Sequence, residues 1–306
     1  MSSRAEAPAA RPAPGARATV GYLGPAGTFS EQALLASARA DAVQPVALAS
    51  IYDTVAALRR GEVSWAIVPI ENSLEGSINV TLDLLAGEAS DVRIAGEALL
   101  RVEHALIAAA PTELAQIDTV LTHPHVPGQC TRFLRDELAH AQIVSASSTA
   151  EAVRVVSSDV RPGQAAIGTT LAASIYGASV IRAHVEDRAD NETRFVWLAQ
   201  AGTAADPPLR AEENGQWKTS LVFWGTGAER PGWLVRCLDA FARRAINLTK
   251  IESRPRRQGL GSYMFFVDLA AQAADASVHE ALAELRELCE EVRVLGSYRA
   301  SPAPPT

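Results

Sequence analysis

Four short stretches of the chain gather the residue types from which a polar active site can be built. LGPAGTFSEQA (23–33) joins a strand-like segment to a helix-like one. Its glycines permit close backbone approach, and Thr28 and Ser30 put hydroxyls at a helix N-terminus, a place suited to a carboxylate or phosphate. A tight βα turn with an N-cap would use the same residues. VPIENSLEGSIN (68–79) follows a buried apolar run and offers Glu71, Asn72, Ser73, Ser77 and Asn79 in one loop. It lies at the C-terminal end of a strand, where open α/β sheets bind ligands. THPHVPGQC (122–130) sets His123 and His125 at a strand end, with Gln129 close behind. One HxH without further acidic or cysteine spacing is a weak metal signal and fits satisfied structural histidines better. DNETRF (190–195) places a hydroxyl, Thr193, beside a fixed cation, Arg194, a residue type that grips carboxylates through two parallel hydrogen bonds.

What is missing narrows the chemistry. There is no Ser-His-Asp spacing, GxSxG, HExxH or phosphate-binding GKS/T. Lysine occurs only at 218 and 250, neither in a Schiff-base or phosphate motif. The chemistry must then be feasible with hydroxyls, carboxylates, amides and arginine, without metal or cofactor, which favours an intrinsically downhill reaction. Lys+Arg number 28 and Asp+Glu 35, a formal charge of −7; a nucleic-acid binder needs a basic stripe instead. Cys130, Cys237 and Cys289 lie far apart with no CxxC, so no disulfide framework or zinc site is implied, and they fit a reducing cytosol. No apolar run approaches the ~18 residues of a membrane span. The N-terminal residues lack the apolar core of a secretory signal. Residues 1–18 are expected to be a disordered tail and 300–306 a shorter one, in a cytoplasmic protein.

The elements that must position these residues fall into two segments. At 306 residues the length suggests about two domains. The polar, Pro/Gly-punctuated stretch at 201–217 is the expected linker. Before it, strands alternate with helices: TVGYL, a helix capped by Ser30, a helix capped by Ser50 with Gly61 after its end, WAIVPI, and on to RFVWLAQ (194–200). This predicts an α/β unit over 19–200 with mostly parallel sheet, in one sheet or two small lobes. After it, 218–299 reads βαββαβ, a ferredoxin-like α+β unit, with Pro231 expected at the first position of its first helix. Gly232, in ERPGWL, would let backbone amides approach a ligand at that helix start.

Taken together, GPAGTFSEQA, VPIENSLEGSI, HPxxxxQC and DNETRF, in this order, resemble the prephenate dehydratase family. INLTKIESRP and GLGSYMFFVD resemble that family's C-terminal ACT domain. The likeness runs over about 19–299. It implies a two-lobed catalytic domain like type 2 periplasmic binding proteins, with crossings near 100 and 190. It implies decarboxylative dehydration of prephenate to phenylpyruvate, driven by aromatisation and needing no cofactor. Thr193 falls on the family's essential threonine and would stabilise the departing hydroxyl. Thr28, Ser30, Asn72, Ser73 and Ser77 would shape the substrate pocket, with Glu71 orienting them. His123, Gln129 and Phe195 belong to the same motifs, Thr169 and Thr170 could bind a carboxylate, and Arg194 would engage one or support its strand. Phenylalanine would inhibit at interfaces between ACT domains, through Gly232, Leu234, Glu252, Ser253, Arg254 and Pro255, in a homodimer or homotetramer. Two positions depart from the family. Trp233 stands where alanine is usual, and would fill the effector pocket, reshape it or point into the core. His125 stands at a usual glutamine. No segment ahead of residue 19 is long enough for a fused chorismate mutase. Arogenate dehydratase, prephenate decarboxylase and a non-catalytic amino-acid sensor are the competing readings. The intact Thr193 motif weighs against the last two.

Overall fold

The computed structural model describes residues 17–39, 41–159, 161–210, 215–225, 227, 230–257 and 261–302. The tail expected at 1–18 lies outside them except for its last two residues, of which Ala18 opens the first strand. The first lobe runs β1 (Ala18–Leu23), α1 (Phe29–Ser37), β2 (Val43–Leu48), α2 (Ile51–Arg59), β3 (Trp65–Asn72), β4 (Gly76–Ser77), α3 (Asn79–Ala86) and β5 (Val92–Arg101). The chain then crosses to a second lobe. This holds β6 (Ala105–Ala108), β7 (Thr119–Thr122), α4 (Val126–Gln129), α5 (Thr131–Glu137), β8 (Gln142–Ser145), α6 (Thr149–Ser158), β9 (Gln164–Gly168), α7 (Thr170–Tyr176) and β10 (Ser179–Arg182). It returns through 183–191 to β11 (Glu192–Gln200), which completes the first sheet.

The first sheet has the order β2-β1-β3-β11-β5, with β4 paired to β3, and the second β10-β6-β9-β7-β8. The expectation of mostly parallel sheet is not met. In each sheet the βαβ strands pair in parallel, while β11 runs antiparallel to β3 and β5, and β6 antiparallel to β9 and β10. Strands that carry the chain out of and back into a lobe oppose the others. A short apolar run gives no sign of direction, because it is buried either way.

Local signals explain most element ends. Ser50 caps α2 by accepting from Asp53 N, and Gly61, at φ 73°, follows its end. Helix α1 starts two residues earlier than expected: Thr28, not Ser30, is its cap, accepting from Glu31 N and donating to the Leu23 carbonyl at 2.8 Å. Ser30 is a buried residue inside the helix.

The ferredoxin-like unit comprises β12 (Trp217–Trp224), α8 (Trp233–Ala242), β13 (Leu248–Pro255), β14 (Tyr263–Leu269), α9 (Ala276–Leu288) and β15 (Glu291–Arg299), in the antiparallel order β13-β14-β12-β15. Gly232, at φ 79°, is the N-cap of α8, so Pro231 precedes the helix rather than opening it. Trp233 points into the core: it packs on Phe223 and Phe265, and its Nε1 donates to the Leu288 carbonyl at 2.8 Å. Cys237 and Cys289, far apart in sequence, are free thiols whose sulfurs lie 3.8 Å apart.

This unit is docked on the first lobe. Val222, Phe266, Leu295 and Tyr298 share one apolar core with Ile70, Leu82, Val196 and Leu198. A Cβ built on Gly296 would lie 2.1 Å from the Ile94 carbonyl oxygen, so β15 lies against β5 only with glycine there. The linker is strapped down by Arg39 N on the Pro208 carbonyl and Arg210 N on the Ser37 carbonyl. Residues 300–302, expected to be tail, are partly anchored, with Ser301 N on Glu97.

The two lobes meet at Gly27. Its φ is +87°, and a Cβ there would fall 2.7 Å from Ala172 Cα in α7. Gly27→Ala is expected to destabilise the protein by about 1–2 kcal/mol through the backbone alone, and further by wedging the lobes apart. Denaturant unfolding would show it, and an unchanged midpoint would contradict the contact.

Candidate active site

Strand β11 alternates its side chains between two worlds, as a period of two requires. Thr193, Phe195 and Trp197 take one face, and Arg194, Val196 and Leu198 the other. Its register against β3 sets Thr193 opposite Asn72 and Arg194 opposite Glu71. The adjacent residues Thr193 and Arg194, and likewise Asn72 and Glu71, therefore split between the junction of the two lobes and the ferredoxin-like unit.

On the lobe-junction face Asn72 is held without freedom to turn. Its Oδ1 accepts from Leu74 N and Glu75 N, both at 2.9 Å. Its Nδ2 must then point the other way, donating to Asn191 Oδ1 at 2.8 Å and to Thr193 Oγ1 at 3.0 Å. Thr193 Oγ1 is thus an acceptor from Asn72, and its own hydrogen has no acceptor among the described residues. A buried threonine has been prepared as a hydrogen-bond donor.

The second lobe closes the network. Gln129 Oε1 faces His104 Nε2 at 3.0 Å and accepts from Asn191 Nδ2 at 3.4 Å, while Gln129 Nε2 reaches Glu75 Oε1 at 3.5 Å. Burial pushes the His104 imidazole below the ordinary histidine range, against weaker upward pulls from Gln129 and Glu186. His104 is therefore neutral at pH 7, and the carbonyl opposite makes Nε2 its protonated nitrogen. A histidine whose pKa falls on folding stabilises the native state fully above its unfolded value of about 6.5. That stability is lost as pH falls from there toward the folded pKa, because the unfolded chain binds the proton first. The unfolding free energy should accordingly drop below about pH 6.5, and His104→Gln should flatten that slope in denaturant melts across pH.

Several expected site residues converge here: Asn72, Gln129 and Thr193 directly, with Ser73 beside them. The Ser73 hydroxyl accepts from Glu192 N at 2.9 Å and lies on the exposed rim. Thr169 Oγ1 donates to the Gly27 carbonyl at 2.6 Å and caps α7, so it joins the lobes next to Thr28. Thr170 is exposed at the start of α7. His123 is half-buried. Its Nδ1 accepts from His125 N at 3.4 Å, the two rings meet edge-on, and burial lowers its pKa ahead of the effect of His125. Among the described residues no group of three or more His, Cys, Asp or Glu is arranged to hold a metal ion.

Others are turned away from Thr193. Phe195 is buried in the core against α1. Arg194 binds no part of the lobe junction. Its Nε donates to Glu97 Oε2 at 2.7 Å, one amine to Asp268 Oδ2 at 2.6 Å and the other to Tyr298 Oη at 2.6 Å. Glu71 and Ser77 face β13, Glu71 lying 3.1 Å from Lys250 Nζ and Ser77 bonded to both Lys250 and Glu252. For Arg194 and Glu71 the cause is the strand period: each follows or precedes a residue that faces Thr193's side and so points the other way, whereas Phe195 lies on Thr193's own face, further along the strand in the core.

The expected effector residues are dispersed likewise. Glu252 is engaged by Ser77, and Arg254 forms a fork on Asp83 at 2.9 and 3.0 Å and bonds Asn79. Gly232, Ser253 and Pro255 are exposed and Leu234 half-buried. His104, Asn191 and Glu75 were not singled out from sequence. Asn191 stood inside a quoted motif, whereas His104, on the crossing before β6, carries no spacing that marks it. A cavity of about 640 Å³ lies among α1, β5, the linker and β15, away from Thr193. The lobe junction is closed, with Thr193 and Asn72 each 9% exposed.

Fold and site together define a two-lobed α/β protein with a buried threonine hydroxyl at the lobe junction and a ferredoxin-like unit behind it. A profile of the prephenate dehydratase family matches residues 20–203, and the chain belongs to that family. A prephenate dehydratase of Mycolicibacterium vanbaalenii is 39% identical over 294 residues, covering 91% of this chain and 90% of its own. The crystal structure of a prephenate dehydratase from Arthrobacter aurescens in complex with L-Phe superposes with a TM-score of 0.81 at 36% identity, over 92% of this chain and 89% of that one. A quorum-quenching acylase superposes with a TM-score of 0.80 at 27% identity, over 93% of this chain and 98% of that one. Among the described residues no helix is long and apolar enough to cross a membrane.

Proposed function

We propose that this enzyme converts prephenate to phenylpyruvate, with Thr193 stabilising the leaving hydroxyl. The observation that carries the reading is the fixed Asn72 amide, which occupies the Thr193 oxygen and leaves its hydrogen to donate. As the bond from the ring to the carboxylate breaks and CO2 departs, its electron pair enters the ring. The pair of the C–O bond leaves with the hydroxyl, which takes up a proton to become water. Threonine is too weak an acid to supply that proton outright, so a hydrogen bond to the developing hydroxide is its contribution. The substrate carboxylates are held by hydroxyls and amides of the turns at 24–30 and 168–171, which meet across Gly27 and Thr169. Substrate reaches Thr193 when the lobes part at the Gly27–Ala172 and Gln129–Asn191 contacts.

The ferredoxin-like unit acts as an ACT domain. Phenylalanine binds there between subunits of a homo-oligomer, near the exposed Gly232 turn and the outer face of β13, and lowers activity. The L-Phe complex of the Arthrobacter relative supports this, as does Trp233 lying in the core rather than over the turn. Three free thiols accord with action in the cytoplasm. The test is incubation with prephenate at mildly alkaline pH, where the acid-catalysed background is small, following phenylpyruvate. Turnover that phenylalanine inhibits supports both parts. A folded protein that binds phenylalanine calorimetrically but converts neither prephenate nor arogenate is a sensor instead. One that only releases acyl groups sides with the acylase.

A further inference from the structure

Thr193 and Arg194 are consecutive, so their Cα atoms are fixed ~3.8 Å apart. One faces the lobe junction and the other is locked into the ferredoxin-like sheet. Of the three side chains gripping the Arg194 guanidinium, Glu97 belongs to β5, while Asp268 and Tyr298 belong to β14 and β15. Ser220 on β12 closes the cluster, donating to Asp268 Oδ1 at 2.5 Å and lying 2.7 Å from Tyr298 Oη. Arg194 is almost wholly buried, and a buried charge deprived of partners is strongly destabilising. The guanidinium must therefore follow Asp268 and Tyr298 when that sheet shifts. The next cross-strand partner repeats the arrangement, with Glu71 on Lys250, and Lys250 on Ser77. Both lysines of the chain lie in this interface, Lys218 bonding both oxygens of Glu97 at 2.8 and 2.9 Å.

We infer that Arg194 is a positioning residue for Thr193, and that the Glu97–Arg194–Asp268–Tyr298 cluster makes the chemical step depend on how the ferredoxin-like unit is seated. This rests on the dehydratase reading for its rate prediction. A seat that shifts moves the peptide between 193 and 194, and the Thr193–Asn72 hydrogen bond, which depends steeply on geometry, loses its alignment.

Tyr298→Phe removes one hydroxyl from the cluster and leaves the ring packed. It is expected to lower kcat about tenfold, the scale of one buried hydrogen bond, with KM within about twofold. In a Thr193→Ala background the same change should have almost no further effect on the residual rate, since its route runs through Thr193. Hydrogen–deuterium exchange should rise in the peptides covering 70–75 and 190–196. Ser220→Ala, a gentler cut in the same cluster, serves if Tyr298→Phe does not fold. An equal loss of rate in both backgrounds, or a folded variant with unaltered kcat and exchange, overturns the inference. Wild-type protein that fails to convert prephenate sinks the dehydratase reading separately. The exchange measurement still decides whether the cluster holds strand β11.

Discussion

Thr193→Ala should retain its fold and its KM while losing roughly 10²–10³-fold in kcat, the scale measured when one preorganised donor to a developing oxyanion is removed. The loss falls on kcat because the hydroxyl donates more strongly to departing hydroxide than to the bound alcohol, which is differential stabilisation of the transition state. Thr193→Ser keeps the donor but gives up the β-branched methyl that restricts χ1, so its deficit should be a few-fold only. Asn72→Asp supplies the sharper contrast. A carboxylate at that position accepts from Leu74 N and Glu75 N as Asn72 does. Its second oxygen, however, accepts the Thr193 proton instead of donating to its oxygen. The hydroxyl is then spent, and Asn72→Asp should approach Thr193→Ala in rate although Thr193 is intact. Steady-state kinetics on the three variants beside the wild type, corrected for spontaneous aromatisation, decide it. Full activity in Asn72→Asp would mean that the direction of the Asn72 amide is irrelevant to the reaction.

The same strands explain what the sequence discloses and what it hides. Strand β3 was evident as WAIVPI, a run buried on both faces, and βαββαβ was evident from two amphipathic helices among four apolar strands. Thr193 was within reach because its motif is polar at a strand start. The facing of that motif's neighbours was not, because a linear motif does not declare which alternate residues look into the site. Glu71 was expected to orient the substrate pocket, and Arg194 to engage a carboxylate or support its strand; both belong to the interface with the ferredoxin-like unit. Glu252 and Arg254 were expected at an effector, and here they bond the first lobe through Ser77 and Asp83. His104 escaped notice since its role depends on Gln129, 25 residues away, and on Asn191 beyond it. Long-range pairing of single polar residues leaves no periodic trace. The misplaced cap of α1 is the local counterpart: Ser30 is the better cap type, and Thr28 takes the role where its hydroxyl also donates to the Leu23 carbonyl, a contact the local sequence does not declare.

Glu97→Ala should cost about 3–5 kcal/mol of unfolding free energy, the scale for breaking a buried ion pair by deleting one partner. The Glu97 side chain is wholly buried and serves two cations, Arg194 at 2.7 Å and Lys218 at 2.8 Å, as well as the backbone N–H of Ser301. Its removal leaves Arg194 to Asp268, Tyr298 and, at 3.6 Å, Glu71, while Lys218 loses both of the bonds it makes with Glu97. Surface pairs such as Arg60–Glu62, with both side chains more than half exposed, set the contrast: deleting either should leave the unfolding midpoint essentially unchanged. Lys218→Met separates the two contributions. It removes the stranded ammonium but keeps an apolar stem of similar reach, so in the Glu97→Ala background it should recover part of the loss, whereas in the wild type it should be destabilising. A double-mutant cycle by denaturant unfolding reads the difference as a coupling energy. If Lys218→Met gives no recovery, the stability of the joint between β5, β11 and the ferredoxin-like sheet comes from the apolar core that Val196 and Leu198 share with Val222 and Phe266. The charges would then fix its register without adding to its strength. That outcome would still allow Arg194 to position Thr193, because register is what a positioning residue supplies.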